Sequence, residues 1–161
     1  MKPGDHPDFY RLAPPPGASR ESTIRLDVEG HFWHDGARVD HPALAAAMHG
    51  WIARHPDDGR FILTNGYDWT YFQVDDAPYS VPSLRLEPDT VTLILSDGSE
   101  EALVPETLRI GPGDALYAKV KNGGFEARFS RHAQTALAPI LREKADGSLA
   151  LSIGGRDHRV G

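Results

Sequence analysis

The sequence predicts an α+β protein built from two repeated modules, each an antiparallel sheet with one helix packed against it. Three observations carry this. A helix, an Asp-Gly turn and an apolar strand occur in that order twice. One copy runs from His41-Pro42-Ala43-Leu44 to Asp58-Gly59-Arg60-Phe61-Ile62-Leu63, the other from Ser130-Arg131-His132-Ala133 to Asp146-Gly147-Ser148-Leu149-Ala150-Leu151. Both helices repeat apolar residues at i, i+4, i+7 and i+8: Leu44, Met48, Trp51 and Ile52 in one, Ala133, Leu137, Ile140 and Leu141 in the other. That is the spacing of one helix face. A helix breaker falls at the same point of each, Gly50 and Pro139. Finally, Asn65-Gly66 and Asn122-Gly123 each separate two apolar runs, the strongest short-range sign of a hairpin. Repetition on this scale places a seam between two related modules, where a ligand can bind.

Residues 1–22 read as a flexible, proline-rich tail. Pro14-Pro15-Pro16-Gly17 makes a stiff extended spacer, and only Phe9, Tyr10 and Leu12 offer an anchor. The N-terminal module spans 23–87. Ile24-Arg25-Leu26-Asp27-Val28 alternates apolar and charged residues, as a half-buried strand does. Glu29-Gly30 turns the chain into His31-Phe32-Trp33-His34, and Asp35-Gly36 turns it again into Ala37-Arg38-Val39. Pro42 suits the first turn of a helix capped by Asp40 or His41. This helix ends by His55-Pro56, and Trp51 on its apolar face is expected in the core. The hairpin of 60–64 and 69–74 follows.

The C-terminal module spans 88–161. It opens with the strand 91–95, turned by Asp97-Gly98 into 102–104. In its second hairpin, a two-residue Asn122-Gly123 loop sets Lys119 opposite Glu126 and Val120 opposite Phe125. Leu116, Ala118, Val120, Phe125, Ala127 and Phe129 then share a core face. A helix from Ser130 to Lys144 follows, capped by Ser130, with Pro139 kinking it or weakening it by about 3 kcal/mol. Strands at 149–153 and 156–160, joined by Gly154-Gly155, close the chain.

Composition narrows the chemistry. The chain of 161 residues has an ordinary 40% hydrophobic and 25% charged content, that of a globular protein. No apolar run approaches membrane-spanning length, and the first residues lack a secretory hydrophobic stretch, so a cytoplasmic location is expected. With no cysteine, disulfides, thiol catalysis and cysteine-ligated metals are excluded. Net charge is −6. Residues 1–87 hold 8 basic and 13 acidic side chains, and 88–161 hold 9 and 10. Neither part has the basic excess that binding polymeric nucleic acid requires.

The pieces Ile24…Asp27…Gly30…Phe32-Trp33-His34-Asp35-Gly36…Val39, Asp58-Gly59-Arg60-Phe61-Ile62-Leu63-Thr64 and Phe72…Val74-Asp75-Asp76-Ala77-Pro78-Tyr79 together resemble a bacterial group, domain-of-unknown-function family 1285. The resemblance spans roughly Ile24 to Val160, and Val74-Asp75-Asp76-Ala77-Pro78 is its sharpest part. It implies two repeated α/β modules, the C-terminal one superficially like a pleckstrin-homology fold, with a ligand pocket where they meet. It also implies a nucleotide-like ligand and a role in signalling. The chain departs from the family at the hairpin turn. There Asn65-Gly66-Tyr67-Asp68-Trp69 stands where the family tends to carry Pro followed by Glu-Lys.

The residues themselves suggest where a ligand is held. Period two places Trp69, Tyr71, Gln73 and Asp75 on one strand face. Two aromatics, an amide and a carboxylate suit a flat heterocycle; they equally suit a solvent-facing strand with cross-strand aromatic pairs. Lys119, Lys121 and Arg128 share one face of the second hairpin beside Asn122-Gly123-Gly124, an arrangement suited to an anion. The alternative is a plain hairpin with Lys119 paired to Glu126. Asp75 and Asp76 point to opposite faces, so they form no catalytic dyad. Asp76 is expected buried at the strand end, accepting backbone N–H bonds and fixing the turn before Pro78. His31 and His34 share a metal only across a bulge, and no serine-nucleophile motif occurs. No metal, cofactor or catalytic residue is therefore expected. The function expected is a non-catalytic binding module for a small anionic, nucleotide-like ligand at the seam. A protein- or peptide-interaction module is the alternative, and a hydrolase using Asp76 or a histidine as base ranks third.

Overall fold

The computed structural model describes residues 1–161. The fold is α+β, with two α-helices and five small sheets. The chain divides into two compact units, Met1–Asp76 and Ala77–Gly161, a division that falls before the expected 87/88 boundary. No helix is long and apolar enough to cross a membrane.

Unit 1 contains β1 (Arg25–Leu26), β2 (Phe32–His34), β3 (Ala37–Arg38), α1 (Pro42–His49), β4 (Ile52–Arg54), β5 (Phe61–Thr64), β6 (Trp69–Tyr71) and β7 (Gln73–Val74). They form two sheets, β3-β2-β1-β7 and β4-β5-β6. Every pairing is antiparallel except β1 with β7. Asp27 shapes the first turn by accepting the N–H groups of Glu29 and His31 and the indole N–H of Trp33. His41 caps α1, its Nδ1 accepting from the Leu44 N–H at 3.2 Å.

The helix stops at Gly50, so Trp51 lies in the turn beyond it and is only half-buried, whereas Met48 and Ile52 are in the core. Trp51 is thus not part of a helical core face. An uninterrupted alanine run favours the helix, and glycine, which loses more backbone freedom, ends it.

Residues 1–22 are not a free tail. Two 3-10 turns, Pro3–Asp5 and Phe9–Arg11, carry Phe9 into a cluster with Ile62 and Trp69, where it is 4% exposed, with Tyr10 and Tyr71 packed alongside. Removing a phenyl ring from water is worth about 2 kcal/mol, which the tail's composition conceals.

Unit 2 contains β8 (Tyr79–Val81), β9 (Ser83–Leu86), β10 (Val91–Ile94), β11 (Glu100–Ala102), β12 (Arg109–Ile110), β13 (Leu116–Val120), β14 (Phe125–Phe129), α2 (Arg131–Leu137), β15 (Leu141–Glu143), β16 (Leu149–Ile153) and β17 (Arg156–Arg159). Its sheets are β11-β10-β9, β12-β13-β14-β8 and β15-β16-β17. The second hairpin has the expected register, Lys119 opposite Glu126 and Val120 opposite Phe125, and its expected core face is buried at Leu116, Ala118, Val120, Ala127 and Phe129. Ser130 Oγ caps α2 by accepting from the Ala133 N–H at 3.1 Å. The helix does not reach Lys144. It ends at Leu137, passes through a 3-10 turn at Ala138–Ile140 and becomes β15. Pro139 has no N–H to give and its ring opposes the carbonyl four residues back, so the chain leaves the helix instead of kinking.

The two units repeat an order of elements: antiparallel meander, helix, antiparallel meander. In unit 1 this is β1–β3, α1, β4–β6; in unit 2 it is β12–β14, α2, β15–β17. Asp58-Gly59 and Asp146-Gly147 occupy the equivalent turn, between the first two strands of the second meander. In both, the aspartate Oδ1 accepts the N–H two residues on, at 2.9 Å, and the glycine has φ of +73° or +86°. The units differ in their parallel addition: β7 joins the first strand of its meander, β8 the last.

Two substitutions test this packing. Leu137→Ala should lower the unfolding free energy by about 2–5 kcal/mol, since Leu137 is fully enclosed and its loss leaves a cavity. Phe9→Ala should cost about 3–5 kcal/mol on the same grounds. Denaturant titrations measure both, and an unchanged midpoint for Phe9→Ala would show that the N-terminal segment does not contribute to the core.

Candidate functional site

Of the four residues expected on one strand face, three are divided between two sheets and the fourth, Asp75, lies just past the end of a strand. The strand breaks at Phe72, which is buried while its N–H reaches the Phe61 carbonyl at 3.3 Å. Trp69 and Tyr71 belong to β6; Gln73 belongs to β7, which pairs with β1. Alternation restarts at the break, so the face is not continuous. Gln73 Nε2 donates to Asp75 at 2.8 Å, and the Arg25 guanidinium pairs with the same carboxylate. Asp76 is exposed rather than buried, because the strand has already ended, while Pro78 is buried.

Trp69 is buried and Tyr71 half-buried. The Trp69 ring lies 6.1 Å from Tyr10, 5.0 Å from His55 and 5.1 Å from Tyr71, and the Arg20 guanidinium sits 4.5 Å from it. The Tyr71 hydroxyl donates to Asp58 at 2.7 Å. That bond holds the Asp58 carboxyl below its usual range and raises the phenol. The Arg60 guanidinium lies 3.7 Å over the Tyr71 ring. His55, which sequence reasoning did not single out, organises this region. It is buried; its Nδ1 accepts from the Asp57 N–H at 3.1 Å, so its proton lies on Nε2, which donates to the Tyr10 carbonyl at 3.0 Å. The one available signal was His55-Pro56-Asp57-Asp58-Gly59, a turn in which a histidine can bond its own backbone.

Trp69 also borders a concavity of about 290 Å³, walled by Ile24, Leu44, Met48, Trp51 and Leu63, with His34 and Thr70 among its polar groups. Its walls make it a place for an apolar group. His31 faces Asp27 and Glu29 whereas His34 faces Asp35, so the two do not converge.

The hairpin cations of unit 2 do not act as a trio. Arg109, on β12, takes Glu126 in a two-point ion pair at 2.7 and 2.9 Å. Lys119, directly across the ladder from Glu126, is left exposed and without an ion pair. Arg128 turns to Tyr117, its nitrogen 3.4 Å from the hydroxyl. Lys121 is partly buried, and its Nζ donates to Asp97 at 2.7 Å and to Ser99 at 2.8 Å. Burial pushes the Asp97 carboxyl up, but the bonds from Lys121 and Ser99 outweigh it and hold the group below 3.8. Burial, with Asp97 and Glu101 nearby, pushes the Tyr79 phenol beneath Lys121 up to about 12.

The hairpin end borders a concavity of about 550 Å³ with a mixed lining, Lys119, Lys121, Asn122, Thr107 and Glu101 beside Ala102 and Val104. Lys121, Asn122 and Gly123 all have positive φ, between 53° and 81°, a tight bend that turns the loop over this space. Glu101 brings negative charge, but its carboxylate is engaged by the Lys121 N–H at 3.1 Å. The Thr107 hydroxyl is spent, donating to the Val104 carbonyl at 2.8 Å and accepting the Lys119 N–H at 3.0 Å, so what remains for a ligand is the Lys119 ammonium and the Asn122 amide.

No family model and no curated protein matches the chain. Two solved structures do. A DUF1285 family protein from Silicibacter pomeroyi DSS-3 matches with a TM-score of 0.70 at 18% identity, over 94% of this chain and 91% of its own. A DUF1285 family protein from Shewanella baltica OS155 matches with a TM-score of 0.54 at 19% identity, over 70% of this chain and 87% of its own. At such identities the likeness speaks to architecture. The α+β fold of this chain, with its meanders and two short helices, is the fold of DUF1285 family proteins.

Proposed function

We propose that the protein is a cytoplasmic, non-catalytic binding module for a small anionic ligand, of the kind that serves signalling, and that the hairpin end of unit 2 supplies the anion contacts. One observation supports this above the others: Arg109 takes Glu126 and leaves Lys119 without an ion pair at the edge of a concavity. A phosphate or carboxylate group gains a charge-assisted hydrogen bond there. Lys121 acts as a reserve, since its charge is spent on Asp97. The nucleobase-stacking part of the expectation receives no support from Trp69, which Phe9 and Tyr10 pack against, or from Tyr71, whose ring is taken by His55 and Arg60. A second reading, a partner-binding module, is favoured by the apolar concavity of unit 1, where Leu44 is 45% exposed.

Thermal unfolding with inorganic phosphate and a series of phosphorylated and carboxylated metabolites tests the proposal. A ligand at 100 times its dissociation constant adds about 2.7 kcal/mol of stability. Lys119→Ala should weaken a confirmed ligand about tenfold, and Asp97→Asn, which frees Lys121, should tighten it. Equal affinity in Lys119→Ala and the parent would remove the proposal. Asp97 also fixes a pH dependence. Its folded value lies below the ordinary 3.8, so the stability it contributes is complete above 3.8 and is lost as pH falls through the lower, folded value. The parent should therefore lose stability more steeply than Asp97→Asn in acid below that point.

A further inference from the structure

We propose that the outer aromatic face of β4-β5-β6 is also an interaction surface for a second copy of this chain, which occupies it by exchanging residues 1–12. Phe9 enters the cluster of Ile62 and Trp69, the Tyr10 carbonyl accepts from His55, and Arg11 grips Asp57 at 2.7 and 3.1 Å. The Gly4 N–H reaches the Gly66 carbonyl at 2.7 Å. These contacts link residues 1–12 to residues 55–69 and are the same whether the two segments belong to one chain or to two. Exchange therefore sacrifices none of them, and the connecting segment decides the outcome.

That segment is 13–19, and within it only Pro14 is even half-buried. It is fixed afterwards by Arg20, which bonds the Trp69 carbonyl at 2.9 Å and whose own carbonyl accepts from the Tyr71 N–H at 2.8 Å. To seat the arm on its own body the chain must double back, bringing the Leu12 carbonyl to the Arg20 guanidinium at 3.4 Å. One turn makes the reversal: Pro15-Pro16-Gly17-Ala18, closed by the Ala18 N–H on the Pro15 carbonyl at 2.9 Å, with Gly17 at φ +80°. Proline then glycine at the two central positions is the pattern of a type II turn, which needs positive φ at the second. Three successive prolines otherwise favour an extended chain. The closed arm thus rests on one glycine with no atom within 4 Å of where a side chain would stand. Opening that turn straightens the linker and carries the arm to a neighbour, whose arm returns to complete a closed two-fold pair.

Gly17→Val tests this, because a β-branched residue resists positive φ while touching nothing. Full-length parent and variant are compared by size exclusion with light scattering over a concentration series. Because both chains of the pair escape the strained turn, a factor of about ten each, the dimer association constant should rise about a hundredfold in Gly17→Val, and adding Phe9→Ala to that variant should abolish the gain. If Gly17→Val stays as monomeric as the parent, or if its dimer survives Phe9→Ala, the exchange is overturned.

Discussion

The point at which each helix is forced to stop governs the rest of the architecture. Gly50 ends α1 and Pro139 ends α2, and in each case the residue two places on, Ile52 or Leu141, opens a strand. Ile52 pairs with Leu63, and Leu141 with Leu151. One further helical turn would consume these strands and leave the neighbouring strand of each meander with an unpaired edge. The Asp-Gly turns that follow complete the constraint, since Gly59 and Gly147 both require positive φ. The repeat is therefore written in backbone chemistry, a breaker followed by a turn, more than in matched side chains.

In unit 1 the sheet made this way has a face rich in large rings, and the chain covers it with its own first residues. Trp69, Tyr71 and His55 act as a seat for Phe9 and Tyr10, so their stacking capacity is spent internally. In unit 2 an ion pair has the opposite effect. Arg109, whose planar guanidinium matches a carboxylate at two points, takes Glu126 and leaves a cation over. The same physical rule, that each strong partner is used once, closes one candidate surface and opens the other.

Much of the fold was legible because it depends on local rules. The caps His41 and Ser130, the register about Asn122-Gly123 and the Asp-Gly turns follow from residues within a few positions of one another. The helices are shorter than their hydrophobic period because Ile52 and Leu141 are strand residues whose hydrophobicity extends that period past the breaker. The break at Phe72 carries no glycine or proline to mark it; both halves still alternate, but in different sheets. The candidate cations were named, yet their division depends on Arg109 and Asp97, which are distant in sequence from the hairpin residues they compete for or engage. The seating of Phe9 needs the folded face of β5 and β6 to exist first.

The central claim is that anion chemistry lies at the hairpin end of unit 2 while the aromatic face of unit 1 is filled. Amide and indole chemical shifts of the isotope-labelled full chain, followed as inorganic phosphate is added, address it directly. The account predicts saturable shifts at Thr107, Lys119 and the turn from Lys121 to Gly124, with the Trp69 indole unmoved. Shifts centred on Trp69, Tyr71 and His55, with the hairpin silent, would contradict it.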